Sequence, residues 1–195
     1  MSTSGKRGTI GAVFLDRDGT VIRQVELMHQ VKDMSVLPGV SKALKLLNDR
    51  GIPVILVTNQ PVVARGISSE EEVSIVHEEL KRRLKRKGAR IDAIYFCPHH
   101  PNATMARYRE RCSCRKPEPG MILLAAKEHG IDLKYSVMIG DTTQDIEAGH
   151  RAGVRTILVQ TGHGGRDPWQ YRSAPDWEAP NLLQAIQIWL AVGQR

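Results

Sequence analysis

The chain has 195 residues, of which 41% are hydrophobic and 25% are charged, and its formal net charge is +7. These values are typical of one globular domain that folds without disulfides, and no apolar run approaches the ~20 residues of a membrane span. Because the amino terminus lacks the apolar stretch of a signal peptide, we expect a single cytoplasmic domain over residues 1–195. The positive charge favours an anionic partner without choosing between a phosphorylated small molecule and nucleic acid.

Short apolar runs alternate with segments of helical periodicity along the chain, after a polar segment at residues 1–9 that predicts a loose tail. The runs predict strands over residues 10–15, 53–57, 91–96, 136–139 and 155–160, with a short edge strand at 174–178. The periodic segments predict helices over residues 38–50, 68–87, 119–129, 143–152 and 181–192. This alternation predicts an α/β fold with a doubly wound parallel sheet.

The first predicted strand ends in Asp16 and Asp18, which are followed at once by Gly19 and Thr20. Ligands of open α/β sheets bind at the carboxyl ends of the strands. Two carboxylates at such a strand end repel each other unless a cation or a proton lies between them. The pattern therefore predicts either an acidic turn, for which Asp-Gly is a common signal, or a site that depends on a cation.

The second predicted strand is followed by Thr58, Asn59 and Gln60. A Thr hydroxyl and the backbone N–H groups after a strand can bind phosphate oxygens. For these residues alone, an ordinary turn between strand and loop is the simpler interpretation. The loop at residues 21–37 has no clean period, and it would lie beside the first strand end, where it could help to select a substrate.

The helix predicted at residues 68–87 begins with a capping box of Ser68 and Glu71 and ends in a basic run at residues 81–87. Such a run indicates either a nucleic-acid surface or a solvated helix face with cations near its carboxyl end. We favour the solvated face, because no aromatic residue interleaves the run and it lies far from the strand ends.

All three cysteines of the chain fall in the pattern C-x-H-x12-C-x-C. Three thiolates and one imidazole complete a tetrahedral zinc site and leave no position for water, which is typical of structural zinc; the alternative is a group of incidental thiols. His100 is the less favoured histidine, because C-x-H mirrors C-x-C. We expect the loop at 97–114 to be fixed by zinc bound to Cys97, His99, Cys112 and Cys114.

Arg115 and Lys116 follow the last cysteine directly, so a zinc-anchored loop would hold both cations in place. Arg binds phosphate through its planar fork and Lys as a point charge, although an isolated Arg-Lys pair would be interpreted as surface charge. The fourth predicted strand ends in Asp141, and Asp145 follows in the first turn of a helix. Asp141 could bind a divalent cation together with Asp16, and such hard oxygen ligands favour Mg²⁺.

The motifs D-R-D-G-T, T-N-Q, R-K-P and G-D-x-x-x-D together resemble those of the haloacid dehalogenase superfamily, most of whose members are phosphatases. This resemblance implies a Rossmann-like sheet without a large cap domain. It implies that Mg²⁺ is held by Asp16, the backbone carbonyl of Asp18 and Asp141, and that Asp145 orients Lys116 or the water shell of the metal.

The same resemblance implies a covalent mechanism in which Asp16 attacks phosphorus and Asp18 acts first as general acid and then as general base. The substrate-binding residues that it implies are Thr58, Asn59, Gln60, Arg115 and Lys116.

With the cysteine pattern included, the resemblance is strongest to the branch that removes the 7-phosphate of D-glycero-D-manno-heptose 1,7-bisphosphate, in the route to lipopolysaccharide or glycoprotein heptose. Histidinol-phosphate phosphatases share the zinc motif and are the nearest alternative; a nucleic-acid 3′-phosphatase is more remote. The chain departs from the heptose branch at residues 61–63, where Ser-Gly is usual, and at Thr142, where Lys is usual. We expect a monomer that acts on a small phosphorylated sugar, with no nucleic-acid or membrane partner.

Overall fold

A computed structural model describes residues 11–192; the tail predicted at 1–9 and residue 10 of the first predicted strand lie outside the described residues. Six strands form one sheet in which each neighbouring pair is parallel. The strands are β1 (Val13–Leu15), β2 (Val54–Asn59), β3 (Ala93–Cys97), β4 (Val137–Gly140), β5 (Arg155–Val159) and β6 (Trp177–Ala179). Their order is β3-β2-β1-β4-β5-β6, which confirms the predicted doubly wound sheet with β1 between β2 and β4.

Helices cover both faces of this sheet. They are α1 (Val40–Asn48), α2 (Pro61–Ala64), α3 (Glu70–Lys85), α4 (Gly120–His129), α5 (Thr143–Ala152) and α6 (Leu182–Val192). Side chains of α1, α3 and α6 pack into one hydrophobic core, and those of α4 and α5 pack into a second core on the other face. Among residues 11–192, no helix combines the length and the apolar character that crossing a bilayer requires.

Strand β1 is buried on both sides. Val13 and Leu15 belong to the core beneath α1, α3 and α6, whereas Phe14 belongs to the core beneath α4 and α5. Strands that are covered on both faces form continuous apolar runs without alternation, which explains the sequence before Asp16. The same central position brings the carboxyl end of β1 between those of β2 and β4.

The capping box of α3 lies one residue later than predicted. The Ser69 hydroxyl accepts the backbone N–H of Glu72, and the Glu72 carboxylate accepts the backbone N–H of Ser69. The predicted pair of Ser68 and Glu71 is therefore wrong. Two consecutive serines followed by three consecutive glutamates satisfy the capping-box spacing in more than one register, so the sequence could not decide between them.

Two further elements differ from the prediction. Strand β2 continues through Thr58 and Asn59, and it is followed by the unpredicted helix α2, for which Pro61 at the first helical position is favourable. For α4, helical periodicity predicts Met121, Leu124 and Ala125 on the buried face, but Leu124 is 47% exposed. Its buried face is formed by Met121, Ile122, Ala125 and Ala126. Helix α4 is apolar on most sides, so periodicity could not identify its buried face.

Candidate active site

Lys116 lies at the centre of a polar cluster at the carboxyl end of the sheet. Its ammonium group donates to Asp16 Oδ1 at 2.5 Å, to Asp145 Oδ1 at 2.6 Å and to the carbonyl oxygen of Val57 at 2.9 Å. These three bonds use all of its protons. Burial by itself lowers the pKa of Lys116, but the contacts with Asp145 and Asp16 outweigh burial and hold that pKa above its ordinary value. Lys116 is therefore a fixed positive charge.

Three acidic side chains surround this charge. Asp16, Asp141 and Asp145 each place one carboxylate oxygen so that the three oxygens lie within 4.8 Å of one another. Burial, opposed by Lys116 and reinforced by Asp145, raises the pKa of Asp16 to about 7. Burial together with Asp16 and Asp145 raises the pKa of Asp141 to about 8. Because one lysine cannot neutralise three carboxylates, the donor set fits a divalent cation bound through oxygen.

Asp141, which follows β4, is enclosed by backbone from two loops. Its Oδ2 accepts the backbone N–H of His163 at 2.7 Å. A Cβ atom at Gly19 would lie 2.2 Å from that oxygen, and one at Gly162 would lie 2.1 Å from it. Both glycines have positive φ, of 82° and 59°, so glycine is needed at both positions for conformation as well as for space. The glycine-containing loop after β5 thus shapes the site, which its spacing alone does not reveal.

Asp145 lies in the first turn of α5, where an acidic side chain is favourable near the helix amino terminus. Its Oδ2 accepts the backbone N–H of Thr142 at 3.0 Å and the Thr142 hydroxyl at 2.7 Å. Its Oδ1 accepts from Lys116 at 2.6 Å. Since both carboxylate oxygens already have partners, the geometry favours an orienting role for Asp145 over direct contact with a metal.

Asp18 is held by two side chains. Arg17 donates to it from Nε at 3.1 Å and from a terminal nitrogen at 3.2 Å, and the Gln60 amide donates to it at 3.1 Å. The Asp18 side chain is 20% exposed, and it lines the cleft that opens above Asp16. A proton-exchanging group at this position would border both Asp16 and the open cleft.

The substrate-binding residues predicted at the end of β2 make hydrogen bonds mainly to other protein groups. The Gln60 amide donates to the Thr58 hydroxyl at 2.9 Å and accepts from Arg17 at 2.8 Å. The Asn59 side chain pairs with both backbone groups of Lys116, donating at 3.1 Å and accepting at 3.0 Å. Asn59 and Gln60 therefore position Lys116 and Thr58, and their contact with substrate remains a prediction.

The wall of the cleft comes from loops that flank the cluster. Arg115 lines it and also donates to the carbonyl oxygen of His99 at 3.0 Å, which ties the cleft to the cysteine loop. Further lining residues come from the loop after β1 and from the segment after β5; they include Gln24, Val25, Leu27, Met28, His163 and Trp169. The loop after β1 thus borders the cleft, as the sequence predicts.

The four predicted zinc ligands converge in a second cluster. Their ligand atoms lie within 4.8 Å of one another. The sulfur atoms of Cys97, Cys112 and Cys114 are 3.1–3.4 Å apart, so the thiols are adjacent without forming a disulfide. Nδ1 of His99 faces the sulfur of Cys114 at 3.5 Å. His100 instead accepts the backbone N–H of Asn102, in agreement with the choice of His99.

The thiols in this cluster share protons with one another. Hydrogen bonds from Cys97 and from Cys112 lower the pKa of Cys114 to about 5, whereas the hydrogen bond with Cys114 and burial raise the pKa of Cys97 well above its ordinary value. One thiolate thus forms easily and the others do not, unless a cation is bound. Nε2 of His99 lies 3.1 Å from a Glu110 carboxylate oxygen, a contact that typically orients a metal-binding imidazole.

The basic run at residues 81–87 lies on the outside of α3. Arg82 and Arg83 pair with Glu79 on the same helix, with Nε···O distances of 2.6 and 2.8 Å. Arg83 also donates to the carbonyl oxygen of Met34 at 2.6 Å. Lys81 and Arg86 also pair with glutamates of α3, so four of the six cations have protein partners.

The sequence analysis missed a buried pair behind Asp18, formed by Arg17 and His77. Arg17 is 1% exposed and His77 is 4% exposed, and a terminal nitrogen of Arg17 lies 3.0 Å from Nε2 of His77. Arg17 stands between Asp16 and Asp18 in the sequence, and nothing in this pattern indicates that a histidine lies beside it. His77 lies on the buried side of α3, one residue after Val76, and only the fold brings it to the site.

Comparison with known proteins places the chain in a family. The family model described as "HAD-hyrolase-like" matches residues 113–185. A D-glycero-alpha-D-manno-heptose-1,7-bisphosphate 7-phosphatase from Photorhabdus laumondii is 40% identical over 82% of this chain and 87% of its own length. A D-glycero-beta-D-manno-heptose-1,7-bisphosphate 7-phosphatase from Escherichia coli K12 is 37% identical over 92% of this chain and 93% of its own. The chain belongs to the heptose bisphosphate phosphatase family of haloacid dehalogenase-like hydrolases.

Solved structures agree with this membership. A D,D-heptose 1,7-bisphosphate phosphatase from B. bronchiseptica, complexed with magnesium and phosphate, has a TM-score of 0.83 and 30% identity over 93% of this chain and 99% of its own. The corresponding enzyme from Burkholderia thailandensis has a TM-score of 0.69 and 26% identity, with 93% and 99% coverage. The family resemblance, the fold class and the assignment as a phosphoric monoester hydrolase are therefore confirmed.

Proposed function

We propose that this phosphatase removes the 7-phosphate of D-glycero-D-manno-heptose 1,7-bisphosphate through an aspartyl-phosphate formed on Asp16. The observation that carries this proposal is the buried cluster of Asp16, Asp141 and Lys116 at the floor of an open cleft. Relatives named for this substrate align over most of the chain, which supports the choice of sugar.

The cluster supplies a nucleophile and its counter-charges. Asp16 Oδ attacks phosphorus, and the bond between phosphorus and the C7 oxygen breaks. That oxygen takes a proton from Asp18 as it leaves. Water then attacks the phosphorus of the acyl phosphate while Asp18 takes a proton from the water, which releases phosphate and restores Asp16.

The donor set at Asp16, the Asp18 backbone carbonyl and Asp141 fits Mg²⁺, because crowded buried carboxylates with raised pKa values need a hard cation to ionise together. When bound there, Mg²⁺ would neutralise charge on the phosphoryl oxygens. Asp145 keeps the Lys116 ammonium in place beside Asp16.

The Thr58 hydroxyl accepts from Gln60 and is free to donate to a transferring phosphoryl oxygen. The fixed positive charge of Lys116 stabilises the negative charge on the phosphoryl oxygens in the transition state. Arg115 points from the cysteine loop into the cleft, and there it meets the remainder of a substrate that carries a second phosphate. The side chain of Thr142 is bonded to Asp145 and so differs from the lysine usual in the branch. The substrate-phosphate contact that such a lysine would make is therefore missing at this position.

The second cluster fits a structural zinc ion. Three thiols and one imidazole converge, and the other nitrogen of that imidazole has a carboxylate partner. The cluster includes Cys112 and Cys114, which come just before Arg115 and Lys116, so zinc fixes the loop that delivers both cations to the cleft.

The experiment that tests the proposal is phosphate release from a panel of esters in the presence of Mg²⁺. The panel contains both anomers of heptose 1,7-bisphosphate, heptose 7-phosphate, histidinol phosphate and a 3′-phosphorylated oligonucleotide. We expect the highest kcat/KM for a heptose bisphosphate. A preference for histidinol phosphate or for the oligonucleotide would overturn the substrate while leaving the phosphatase chemistry in place. The monomeric state and the cytoplasmic location stay predictions, which sedimentation and cell fractionation would test.

A further inference from the structure

Arg17 is a buried cation that donates hydrogen bonds to three other side chains. Its side chain is 2% exposed. Two of its donors reach Asp18, one reaches the Gln60 amide oxygen at 2.8 Å, and one reaches Nε2 of His77 at 3.0 Å. Ordering so flexible a side chain costs entropy, and burying its charge costs hydration. The hydrogen bonds to three partners offset both costs, and they fix the position of the guanidinium group.

His77 is the far end of this arrangement. Its ring packs edge-on against Phe96, with the ring centroids 5.6 Å apart. Burial, with a smaller effect from Arg17, lowers the pKa of His77 to about 3. The imidazole is therefore neutral near pH 7, and its Nε2 can accept the proton of Arg17. Helix α3 thereby fixes a residue of the first strand end from outside the cleft.

Gln60 joins the same arrangement to the phosphate-binding side of the cleft. Its amide donates to Asp18 Oδ2 and to the Thr58 hydroxyl, at 3.1 and 2.9 Å. Oδ2 of Asp18 thus accepts from Arg17 and Gln60, while Oδ1 accepts from Arg17. Oδ1 has the freer lone pairs and is the oxygen better placed to exchange a proton with substrate.

We propose that Arg17 and His77 are positioning residues, which hold Asp18 in the rotamer that delivers a proton to the departing alkoxide. This inference rests on the proposed acid–base role of Asp18. The proton moves from Asp18 to the ester oxygen as the phosphorus–oxygen bond breaks and the Asp16–phosphorus bond forms. Any loosening of Arg17 displaces the donor oxygen from the oxygen that receives the proton, while the nucleophile stays in place.

The test exploits the leaving group. Esters of acidic alcohols need little help from an acid, whereas esters of weakly acidic alcohols need it fully. We would compare 4-nitrophenyl, phenyl and benzyl phosphate, in which the acidity of the leaving alcohol falls stepwise. The parameter is kcat/KM, because it reports the steps up to loss of the alcohol and excludes hydrolysis of the aspartyl-phosphate.

The main variant is His77→Leu, which removes the acceptor and keeps the apolar packing. We expect its kcat/KM to fall about tenfold for benzyl phosphate and to stay within about twofold for 4-nitrophenyl phosphate. For the nitrophenyl ester, kcat alone should fall, with a burst of nitrophenolate, because hydrolysis of the intermediate also needs Asp18. His77→Gln, which can place an amide oxygen near the position of Nε2, should restore the wild-type dependence on the leaving group.

His150→Leu is the matched control, since His150 binds the Thr156 hydroxyl at the opposite end of the sheet. Thermal melting accompanies each assay. Should His77→Leu melt below the assay temperature, Arg17→Lys takes its place, because lysine keeps the charge but lacks the planar fork whose separate nitrogens donate to Asp18, Gln60 and His77. Equal losses of kcat/KM on all three esters, or no loss on any, would overturn the inference alone. A wild-type enzyme that hydrolyses none of these esters or sugar phosphates would overturn the proposed function and this inference with it.

Discussion

The two clusters of this protein, the aspartates and the cysteines, solve the same electrostatic problem in different ways. Both crowd acidic groups into a small volume. The aspartate cluster has a built-in cation, Lys116, which is separated from Asp16 by 100 positions in the sequence. The thiols hydrogen-bond to one another, and they lie at the end of β3 and in the loop that follows it. A site built from the ends of several strands holds its side chains in fixed positions, as catalysis requires. A site whose ligands lie close together in the sequence instead fixes the loop between those ligands.

Removal of the proposed nucleophile should change activity the most while leaving the cysteine cluster intact. We expect Asp16→Asn to lower kcat by roughly 10⁴-fold or more, because no other carboxylate can take its place against phosphorus. Zinc content should be unchanged, since the cysteine loop does not depend on Asp16. An assay of phosphate release measures kcat, and elemental analysis measures the zinc content.

Asp49→Asn is the matched control, because Asp49 is exposed and, among residues 11–192, its carboxylate pairs with Lys45 alone, at the end of α1. Turnover near the wild-type rate in a metal-replete assay of Asp16→Asn would refute the nucleophile assignment.

Disruption of the other cluster should have a smaller effect on activity. Cys112→Ala removes one of four ligands, so the protein should lose zinc, and Arg115 and Lys116 should lose their fixed loop. We expect a loss of kcat/KM of about 10–100-fold, the range seen when groups that support a metal site are removed. Ser113→Ala changes the exposed residue between the two cysteines and should leave both zinc and activity intact. A Cys112→Ala protein with the wild-type zinc content would contradict the structural-zinc proposal.

Magnesium should stabilise the aspartate cluster in a pH-dependent manner. The folded-state pKa values of Asp16 and Asp141 are raised to about 7 and about 8, so their contribution to stability is present at low pH and is lost as pH rises through those values. Mg²⁺ replaces the protons and should therefore raise the melting temperature more at about pH 8.5 than at about pH 6. At a hundredfold excess over Kd, the gain in the free energy of unfolding is about 2.7 kcal/mol.

Asp141→Asn should abolish this dependence on Mg²⁺ and should raise the stability of the metal-free protein at alkaline pH. A magnesium effect of the same size in that variant would place the ion elsewhere.

His77, which lies behind Asp18, should affect stability with the opposite pH dependence. The pKa of His77 is lowered to about 3, so the folded protein excludes a proton that the unfolded chain accepts below the ordinary value near 6.5. Stability due to the neutral ring is present above pH 6.5 and is lost as pH falls towards 3. Relative to His77→Leu, we expect the wild type to lose roughly 2 kcal/mol by about pH 5.

Chemical denaturation of both proteins from neutral to acid pH measures the difference. The control is His77→Gln, which cannot titrate and should follow His77→Leu. If the free energy of unfolding changed with pH equally in the wild type and both variants, His77 would bind its proton as readily in the folded protein as in the unfolded chain.

Features that depend on spacing along the chain were predictable from the sequence. The apolar run before Asp16, the alternation of strands and helices, and the cysteine pattern each follow from local chemistry. They indicated the doubly wound sheet and the two clusters of metal-binding side chains. Errors arose where the pattern was degenerate, as in the serines and glutamates that begin α3 and in the apolar surface of α4.

Contacts between distant elements were decided only by the tertiary structure. Nothing local shows that Gly162 must lack a side chain for Asp141, that Asn59 pairs with the backbone of Lys116, or that His77 fixes Arg17. Such contacts depend on which helix face meets which strand end, and packing of the whole sheet sets that geometry. The sequence determined which chemical groups the protein carries and where strands place them; the fold alone determined which of those groups are buried together, and burial is what changes their charge and reactivity.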